Sequence, residues 1–334
     1  MAKAIALYSG GLDSTLAVLV MKRLGVEVTA VLFDTDFGCS VSRRSLGKSS
    51  ALAPGFAYET HYIGDKFIGL VKDPKFGHGK NMNPCIDCKA LMLKEAKKLM
   101  EERGADFLIT GEVLWQRPMS QRRDALPKID KEAGVAGIVV RPLSAKLLAT
   151  TIPEDKGLVD REKLYRISGR SRKPQMALAK ELGLTDYPQP AGGCLLTDPT
   201  FSQRLRELLA RNQYPTMKEI QLLRVGRHFR TVEGHMIIVG RDEKDNKKIQ
   251  GFADPGDYLL NVTDDYGSPL VLVEPVISAE GLTLAASLCA RYSAARKLPV
   301  VKVEISRNGE CSTVEVRPAD EVDIKRLRIQ PPGQ

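Results

Sequence analysis

Short apolar runs alternate with amphipathic stretches along the first part of the chain. The runs predict buried strands at residues 4–8, 27–34, 105–111 and 137–141. Between them, apolar positions at helical spacing predict helices over 15–24 and 86–103, each followed by a glycine that ends it. Strands separated by helices are typical of a parallel, doubly wound α/β sheet, in which ligands bind beyond the carboxyl ends of the strands.

The pattern changes in the second half of the chain. Beyond a loop rich in proline and glycine, short strands alternate with turns, and the last two meet at Asn308-Gly309. We therefore predict a smaller α+β domain after the α/β domain. The expected division is an α/β domain over 1–187, a loop and helix linker over 188–215, and an α+β domain over 216–334.

Composition narrows the class of protein. The chain has 334 residues, 43% of them hydrophobic, and no apolar run is long enough to cross a membrane. Since the first predicted strand begins almost at the first residue, we expect no signal peptide and a cytoplasmic location. In that compartment six cysteines are more typical of metal binding or catalysis than of disulfides.

The positive charge of the chain is clustered. The formal net charge is +9, and basic blocks lie at 166–173, 224–230 and 325–328. Such blocks favour a polyanionic partner, most simply a nucleic acid, because ATP alone does not need so much positive surface. The alternative is a set of solvated faces that keep the protein soluble.

One glycine-rich segment lies between the first predicted strand and helix. It comprises Ser9, Gly10, Gly11, Asp13 and Ser14 in the sequence SGGLDS. A strand, a Gly-Gly turn and a helix N-terminus make an anion site, because unpaired N–H groups and the helix dipole face the bound phosphate. We expect the serines to add hydroxyl donors, and Asp13 to hold Mg²⁺ or orient the loop. The alternative is an ordinary turn rich in small residues.

The motif lacks the lysine of a Walker A loop. It resembles the PP-loop of the N-type ATP pyrophosphatases, in which SGGLDS is matched residue for residue. The resemblance implies that residues 1–187 form an ATP-binding catalytic domain that cleaves ATP between the α- and β-phosphates and adenylates a carbonyl oxygen. The segment from Gly111 to Gln121 resembles a second nucleotide segment of the 4-thiouridine synthetases. We expect Phe33, Gly111 and Gln116 to join the loop in nucleotide binding.

Three cysteines form a candidate metal set. Cys85 and Cys88 lie in NPCIDC at the start of a predicted helix, and Cys194 follows two glycines in a loop. Structural zinc sites normally have four ligands, whereas a [4Fe–4S] cluster on three cysteines leaves one iron open. The remaining cysteines fit less well: Cys289 lies in an alanine-rich helix, Cys311 beside a turn, and Cys39 after the second strand.

NPCIDC resembles the NPCxxC element of the PP-loop tRNA thiouridine synthetases, in which a later cysteine completes the site. The resemblance implies a tRNA sulfurtransferase that uses ATP, Mg²⁺ and a [4Fe–4S] cluster on Cys85, Cys88 and Cys194 to make 2- or 4-thiouridine. Cys85, Cys194 and Asp13 are then the catalytic candidates. A persulfide relay between Cys85 and Cys194, or a zinc site, stays open.

RNA binding is expected from the C-terminal part. Residues 234–246 and 256–259 resemble the RNA-binding domain of the fibronectin-binding-like ribosome quality control proteins. The expected partners are tRNA and either sulfide or an external sulfur carrier, with no membrane, and a homodimer stays open. Two other functions remain: a PP-loop amidating ligase, and a non-catalytic sensor that binds ATP and RNA.

Overall fold

A computed structural model describes most of the chain. The described residues are 1–37, 55–187, 194–263 and 265–330. The chain divides into two compact units, Met1–Asp198 and Pro199–Gln334. The three-part division drawn from the sequence, with a linker over 188–215, stays a prediction.

The first unit is built from strands and helices that alternate. Its strands are β1 (Lys3–Tyr8), β2 (Glu27–Asp34), β3 (Tyr58–Tyr62), β4 (Phe107–Thr110) and β5 (Val139–Val140). Its helices are α1 (Leu12–Arg23), α2 (Gly64–Lys72), α3 (Cys85–Glu102), α4 (Ala125–Ala133), the short α5 (Ile152–Asp155) and α6 (Lys173–Glu181). Single 3₁₀ turns lie at Ala145–Leu147, Arg161–Lys163 and Leu195–Thr197.

The strands of this unit form one parallel sheet in the order β3-β2-β1-β4-β5. In the register, Ala6 of β1 lies opposite Ala30 of β2 and Ile109 of β4. Because the strands are parallel and in register, their carboxyl ends meet at one edge of the sheet. That edge carries the segments that follow Tyr8, Asp34 and Thr110.

Helices cover both faces of the sheet. Alternate residues of β1 enter different cores: Ala4 and Ala6 pack with α1 and α6, whereas Ile5 and Leu7 pack with α3 and α4. The core of the second face includes Leu93 of α3. The predicted doubly wound α/β sheet is therefore confirmed.

The second unit has a mixed set of elements. Its strands are β6 (Arg227–Arg230), β7 (Met236–Val239), β8 (Tyr258–Val262), β9 (Val271–Val273), β10 (Val301–Arg307) and β11 (Glu310–Val316). Its helices are α7 (Pro199–Arg211), α8 (Met217–Leu222), α9 (Glu243–Phe252), α10 (Ala279–Arg291) and α11 (Glu321–Leu327).

The second sheet is antiparallel, in the order β11-β10-β8-β9-β7-β6. Helix α10 fills the core of one face, and Ile249 of α9 packs into a second cluster that includes Ile238. The predicted hairpin is present, with positive φ angles of 53° at Asn308 and 82° at Gly309. The α+β expectation is therefore confirmed for this unit, and Cys289 is buried in its core.

Candidate functional site

The glycine-rich loop joins β1 to α1 in a tightly bonded turn. Gly10 has a φ of 74°, a conformation that glycine adopts without strain, and Gly11 caps α1 in an extended conformation. The Ser14 hydroxyl donates to the carbonyl of Gly11 at 2.9 Å and accepts from the N–H of Ser9 at 3.2 Å. The serines therefore hold the loop in shape, and the first N–H groups of α1 point out of the turn. Phosphate binding by these residues stays a prediction.

Gly111 lies against this loop at the end of β4. A Cβ at residue 111 would lie 2.5 Å from the nitrogen and 2.6 Å from the Cα of Ser14, and 2.7 Å from the carbonyl carbon of Asp13. Any side chain here would therefore collide with the backbone of α1. Glycine allows the loop after β4 to touch the first turn of the helix, and this contact brings the two segments together.

The segment after Gly111 turns back on itself and presents Gln116 to the glycine-rich loop. The N–H of Trp115 donates to the carbonyl of Gln121 at 2.7 Å, and Trp115 has a φ of 67°, in the left-handed region that favours glycine. The Gln116 Nε2 donates to Asp13 Oδ2 at 2.8 Å. A strained residue held by such hydrogen bonds is typical of a functional loop.

Asp13 is the electrostatic centre of this region. Burial raises the pKa of its carboxyl group, while the hydrogen bond from Gln116 and the charges of Arg172 and Arg117 act in the opposite direction. Gln175 lies close enough to lower this pKa as well. Two cations lie beside this one half-buried carboxylate, so the net charge around it is positive and the site is suited to an anionic ligand.

A buried ion pair fixes the base of the same segment. Glu112 accepts from Nε of Arg141 at 3.0 Å, and Arg141 also forms a bidentate pair with Asp130, at 2.9 and 2.7 Å. Burial opposes the charge of Glu112, but Arg141 outweighs it and, with Lys89, holds the pKa of Glu112 below its usual range. This network anchors the chain between β4 and the loop that carries Gln116.

The CxxC cysteines lie at the start of α3, as predicted. Cys85 is the first residue of the helix, and both cysteines are half-buried. The Asn83 Nδ2 donates to Cys85 Sγ at 3.2 Å and contacts the Met119 sulfur at 3.5 Å. Met119 belongs to the loop that carries Gln116. One loop therefore contacts both Asp13 of the glycine-rich loop and the asparagine beside Cys85.

The segment of Cys194 lies beside the segment that precedes Cys85. The N–H of Met82 donates to the carbonyl of Leu196 at 3.1 Å, and Asn81 Nδ2 donates to the carbonyl of Thr197 at 2.7 Å. The Cys194 thiol donates to the carbonyl of Phe37 at 3.1 Å. Within the described residues, however, no three metal-ligating side chains are grouped so that they could hold a metal ion. The structure brings the two segments together without forming a ligand set.

The other predicted residues have mixed placements. The Phe33 side chain lies in the hydrophobic core and packs on His61 at 6.2 Å between ring centroids. A role for Phe33 in nucleotide binding stays a prediction. Cys39 lies outside the described residues, and Cys311 is exposed on β11.

Only part of the clustered positive charge is left exposed. Arg172, from the first basic block, acts on Asp13, so this block adjoins the glycine-rich loop. In the second block, Arg227 lies over the ring of Tyr292 at 4.5 Å and Arg230 pairs with Glu207 at 2.8 Å. These two arginines are therefore used inside the second unit.

Some residues of the site carry no signal that sequence reasoning could use. Gln175 is completely buried on α6, next to Asp13. Asn83 and Met119 join the cysteine segment to the loop after β4. In the sequence, Gln175 is one polar residue in an amphipathic helix, and only the packing of α6 beside α1 reveals its place.

Comparison with known families agrees with this architecture. Residues 1–146 match the model of the family described as thiamine biosynthesis protein (ThiI). The resemblance to the PP-loop thiolation enzymes is confirmed. Residues 226–328 match the NFACT protein RNA binding domain, which confirms the second resemblance. The ThiI match covers the glycine-rich loop, the CxxC segment and the loop after β4, and the NFACT match falls in the second unit.

Curated relatives of the ThiI-type segment are tRNA-modifying enzymes. The chain is 30% identical over 119 residues to a probable tRNA sulfurtransferase of Methanosarcina acetivorans, covering 34% of this chain and 28% of the relative. It is 24% identical over 217 residues to a tRNA sulfurtransferase of Desulfurococcus amylolyticus, covering 63% and 39%. The chain therefore spans well under half the length of these relatives.

Solved structures with some likeness include thiolation enzymes. The U34-tRNA thiolase NcsA of Methanococcus maripaludis with its [4Fe-4S] cluster is 17% identical, with 67% of this chain and 70% of that chain covered, at a TM-score of 0.33. A 4-thiouridine synthetase in complex with RNA and ATP is 20% identical, with 55% and 52% covered, at a TM-score of 0.33. At these scores, the fold assignment rests on the strand order described above. No helix among the described residues is long and apolar enough to cross a membrane.

Proposed function

We propose that this protein is an ATP-dependent tRNA uridine sulfurtransferase. The observation that carries the proposal is the loop after β4. It contacts Asp13 of the nucleotide loop through Gln116, and it contacts Asn83, the hydrogen-bond donor to Cys85, through Met119. A thiolation enzyme needs an activating nucleotide and a sulfur-carrying thiol next to one reacting carbon. An amidating ligase has no use for the cysteines.

The reaction has two steps. A uridine carbonyl oxygen attacks the α-phosphorus of Mg²⁺-bound ATP, and pyrophosphate leaves. Sulfide then attacks the activated carbon, and the original oxygen leaves with AMP, so that a C=S bond replaces the C=O bond. In this proposal the first N–H groups of α1, with Arg117 and Arg172 beside Asp13, neutralise the phosphates.

The sulfur step is assigned to the cysteines. The donor set, Cys85, Cys88 and Cys194, matches a [4Fe–4S] cluster in kind, and the segments of the CxxC pair and of Cys194 are adjacent. Such a cluster would supply an open iron for a sulfide ligand. With the cluster, sulfide or an external carrier is the sulfur source. A persulfide on Cys194, whose outer sulfur an external carrier must transfer already at the sulfane level, is the alternative.

The second unit is proposed to hold the tRNA, because its NFACT match is to an RNA-binding domain. Exposed cations remain on it at Lys244, Lys247 and Lys248 of α9 and at Lys325 and Arg328 near the end of the chain. Positive charge of this kind binds the phosphate backbone without reading sequence. The cytoplasmic location and the homodimer stay predictions.

The test is a thiolation assay on anaerobically reconstituted protein with unmodified tRNA, ATP, Mg²⁺ and sulfide. Mass spectrometry of the digested RNA should find a thiouridine only when ATP is present, and its chromatographic identity assigns O2 or O4. Cys194→Ala should make none while it still binds ATP, and Cys311→Ala, at an exposed cysteine of β11, should retain the wild-type rate.

The outcomes separate the alternatives. Thiolation by Cys194→Ala would rule out a role for this cysteine. With an external carrier of sulfane sulfur in place of sulfide, activity that survives removal of iron by a chelator would favour the persulfide. Binding of ATP and tRNA with no release of pyrophosphate would favour the non-catalytic sensor.

A further inference from the structure

Gln175 is the most unusual polar residue in the first unit. Its side chain lies on α6 with 0% of its surface exposed. Neither its Oε1 nor its Nε2 makes a hydrogen bond of ordinary geometry in the part of the chain that the structure describes, and its contact with the Asp13 carboxylate is the weakest of the influences on the pKa of that group. Buried amides almost always have partners, and an unpartnered one requires a physical reason. A ligand that supplies the missing partners is such a reason.

The unpartnered amide is not alone. Asp13 Oδ1 and Gln116 Oε1 are also buried without a partner among the described residues. Both glutamines adjoin Asp13, since Gln116 donates to its other carboxylate oxygen and Gln175 lies close enough to influence that carboxylate. Three separate elements, α1, the loop after β4, and α6, thus direct unpartnered polar atoms toward one place.

The kind of atom identifies the ligand. Three of these four atoms are oxygens, which accept hydrogen bonds or coordinate cations, and one is a nitrogen donor. A phosphate group alone brings only acceptors at neutral pH, so it cannot satisfy the oxygens. Mg²⁺ prefers oxygen ligands and keeps several waters, and those waters are donors. The Nε2 of Gln175 and the nearby arginines are hydrogen-bond donors, so they suit the phosphate oxygens of the same ligand.

We propose that Gln175 binds the hydrated divalent cation of the nucleotide, together with the oxygens of Asp13 and Gln116. The inference rests on the proposed function, because it takes a magnesium–nucleotide complex as the ligand. It assigns a residue of α6, outside both the glycine-rich loop and the segment after β4, to the binding of this ligand. Gln175 becomes a specificity residue for metal-bound over metal-free nucleotide.

The test measures ATP affinity with Mg²⁺ and again in EDTA. Trp115, the only tryptophan of the chain, is next to Gln116 and 47% exposed, so its fluorescence serves as the readout. In Gln175→Leu, the affinity with Mg²⁺ should fall about tenfold, as expected for one lost hydrogen bond to a charged group. The affinity in EDTA should stay unchanged. Gln250→Leu, the same change at an exposed position of α9, is the matched control.

Several results would overturn the inference. The inference is wrong if Gln175→Leu gains as much ATP affinity from Mg²⁺ as the wild type does. It is also wrong if Gln175→Leu loses the same ATP affinity with Mg²⁺ and in EDTA, because an equal loss indicates a merely structural role. If Gln175→Leu does not fold, Gln175→Glu, which retains an oxygen ligand, must gain at least as much affinity from Mg²⁺ as the wild type. If the wild type does not bind ATP at all, the proposed function is overturned together with the inference. If the wild type binds ATP and Gln175→Leu responds to Mg²⁺ as the wild type does, only the inference about Gln175 is overturned.

Discussion

Replacing Gly111 by alanine tests the contact that brings the loop after β4 to the glycine-rich loop. The new Cβ would lie 2.5 Å from the Ser14 nitrogen, whereas ordinary contacts begin at 3.4 Å. The nearest atoms are all backbone, so no side-chain rotation can relieve the collision. The first turn of α1 and the loop after β4 must therefore move apart by about 0.9 Å, which is 3.4 minus 2.5.

Two effects follow from this movement. Overpacking of this kind costs about 1–3 kcal/mol. In a unit of this size each kcal/mol lowers the melting temperature by about 2–4 °C, so we expect a decrease of roughly 2–12 °C. The N–H donors of α1 also shift relative to Gln116, and we expect ATP affinity to fall about tenfold, the equivalent of about 1.4 kcal/mol.

Differential scanning calorimetry and the Trp115 titration measure the two effects. Gly69→Ala is the matched control, because Gly69 lies inside α2 and no other part of the described chain lies within 4 Å of the added Cβ. Alanine in a helix interior should stabilise the protein by about 0.5–1 kcal/mol. If Gly111→Ala melts and binds ATP like the wild type, the close approach of the two segments is wrong.

The remaining predictions concern buried charge. The folded-state pKa of Asp13 is raised, so its ionised form opposes folding as the pH rises above the unfolded value of 3.8. Asp13→Asn should therefore melt at a higher temperature than the wild type at pH 7, while it loses Mg²⁺-dependent ATP binding. A lower melting temperature would contradict this reasoning. Burial, aided by the charge of Arg204, lowers the pKa of His228 to about 3. Between pH 6.5 and 3 the imidazole is therefore protonated in the unfolded chain but not in the folded one, so stability should fall as the pH decreases through this range. His228→Gln should weaken this pH dependence in urea titrations. Arg141→Met leaves the buried Glu112 and the half-buried Asp130 without their ion-pair partner and should destabilise the protein by about 3–5 kcal/mol. Arg122→Met, at an exposed pair, should leave the urea midpoint unchanged.

The local features of this protein were predictable because their causes are local. The alternation of apolar runs and amphipathic helices specifies a parallel sheet, since each strand must be buried on both faces. SGGLDS places a helix N-terminus after a Gly-Gly turn, Asn308-Gly309 closes a hairpin, and Cys85 begins a helix. Each follows from the conformations open to a few neighbouring residues.

The composition of the site was decided by tertiary structure. Gln175 meets Asp13 because α6 packs beside α1, and the Cys194 segment meets Met82 through backbone hydrogen bonds. The arginines of the basic blocks likewise have different surroundings: Arg230 pairs with Glu207 inside the second unit, whereas Arg172 acts on Asp13 of the glycine-rich loop. Which of these occurs depends on the strand, helix or loop that carries the arginine.

The physical reason is the range of the interactions. Backbone conformation and hydrophobic period act over a few residues and can be read along the chain. The partners of a buried polar group are fixed by how the elements pack, and no local pattern encodes them. The sequence by itself therefore determined the elements and the chemical types present, and only the fold decided which side chains share the site.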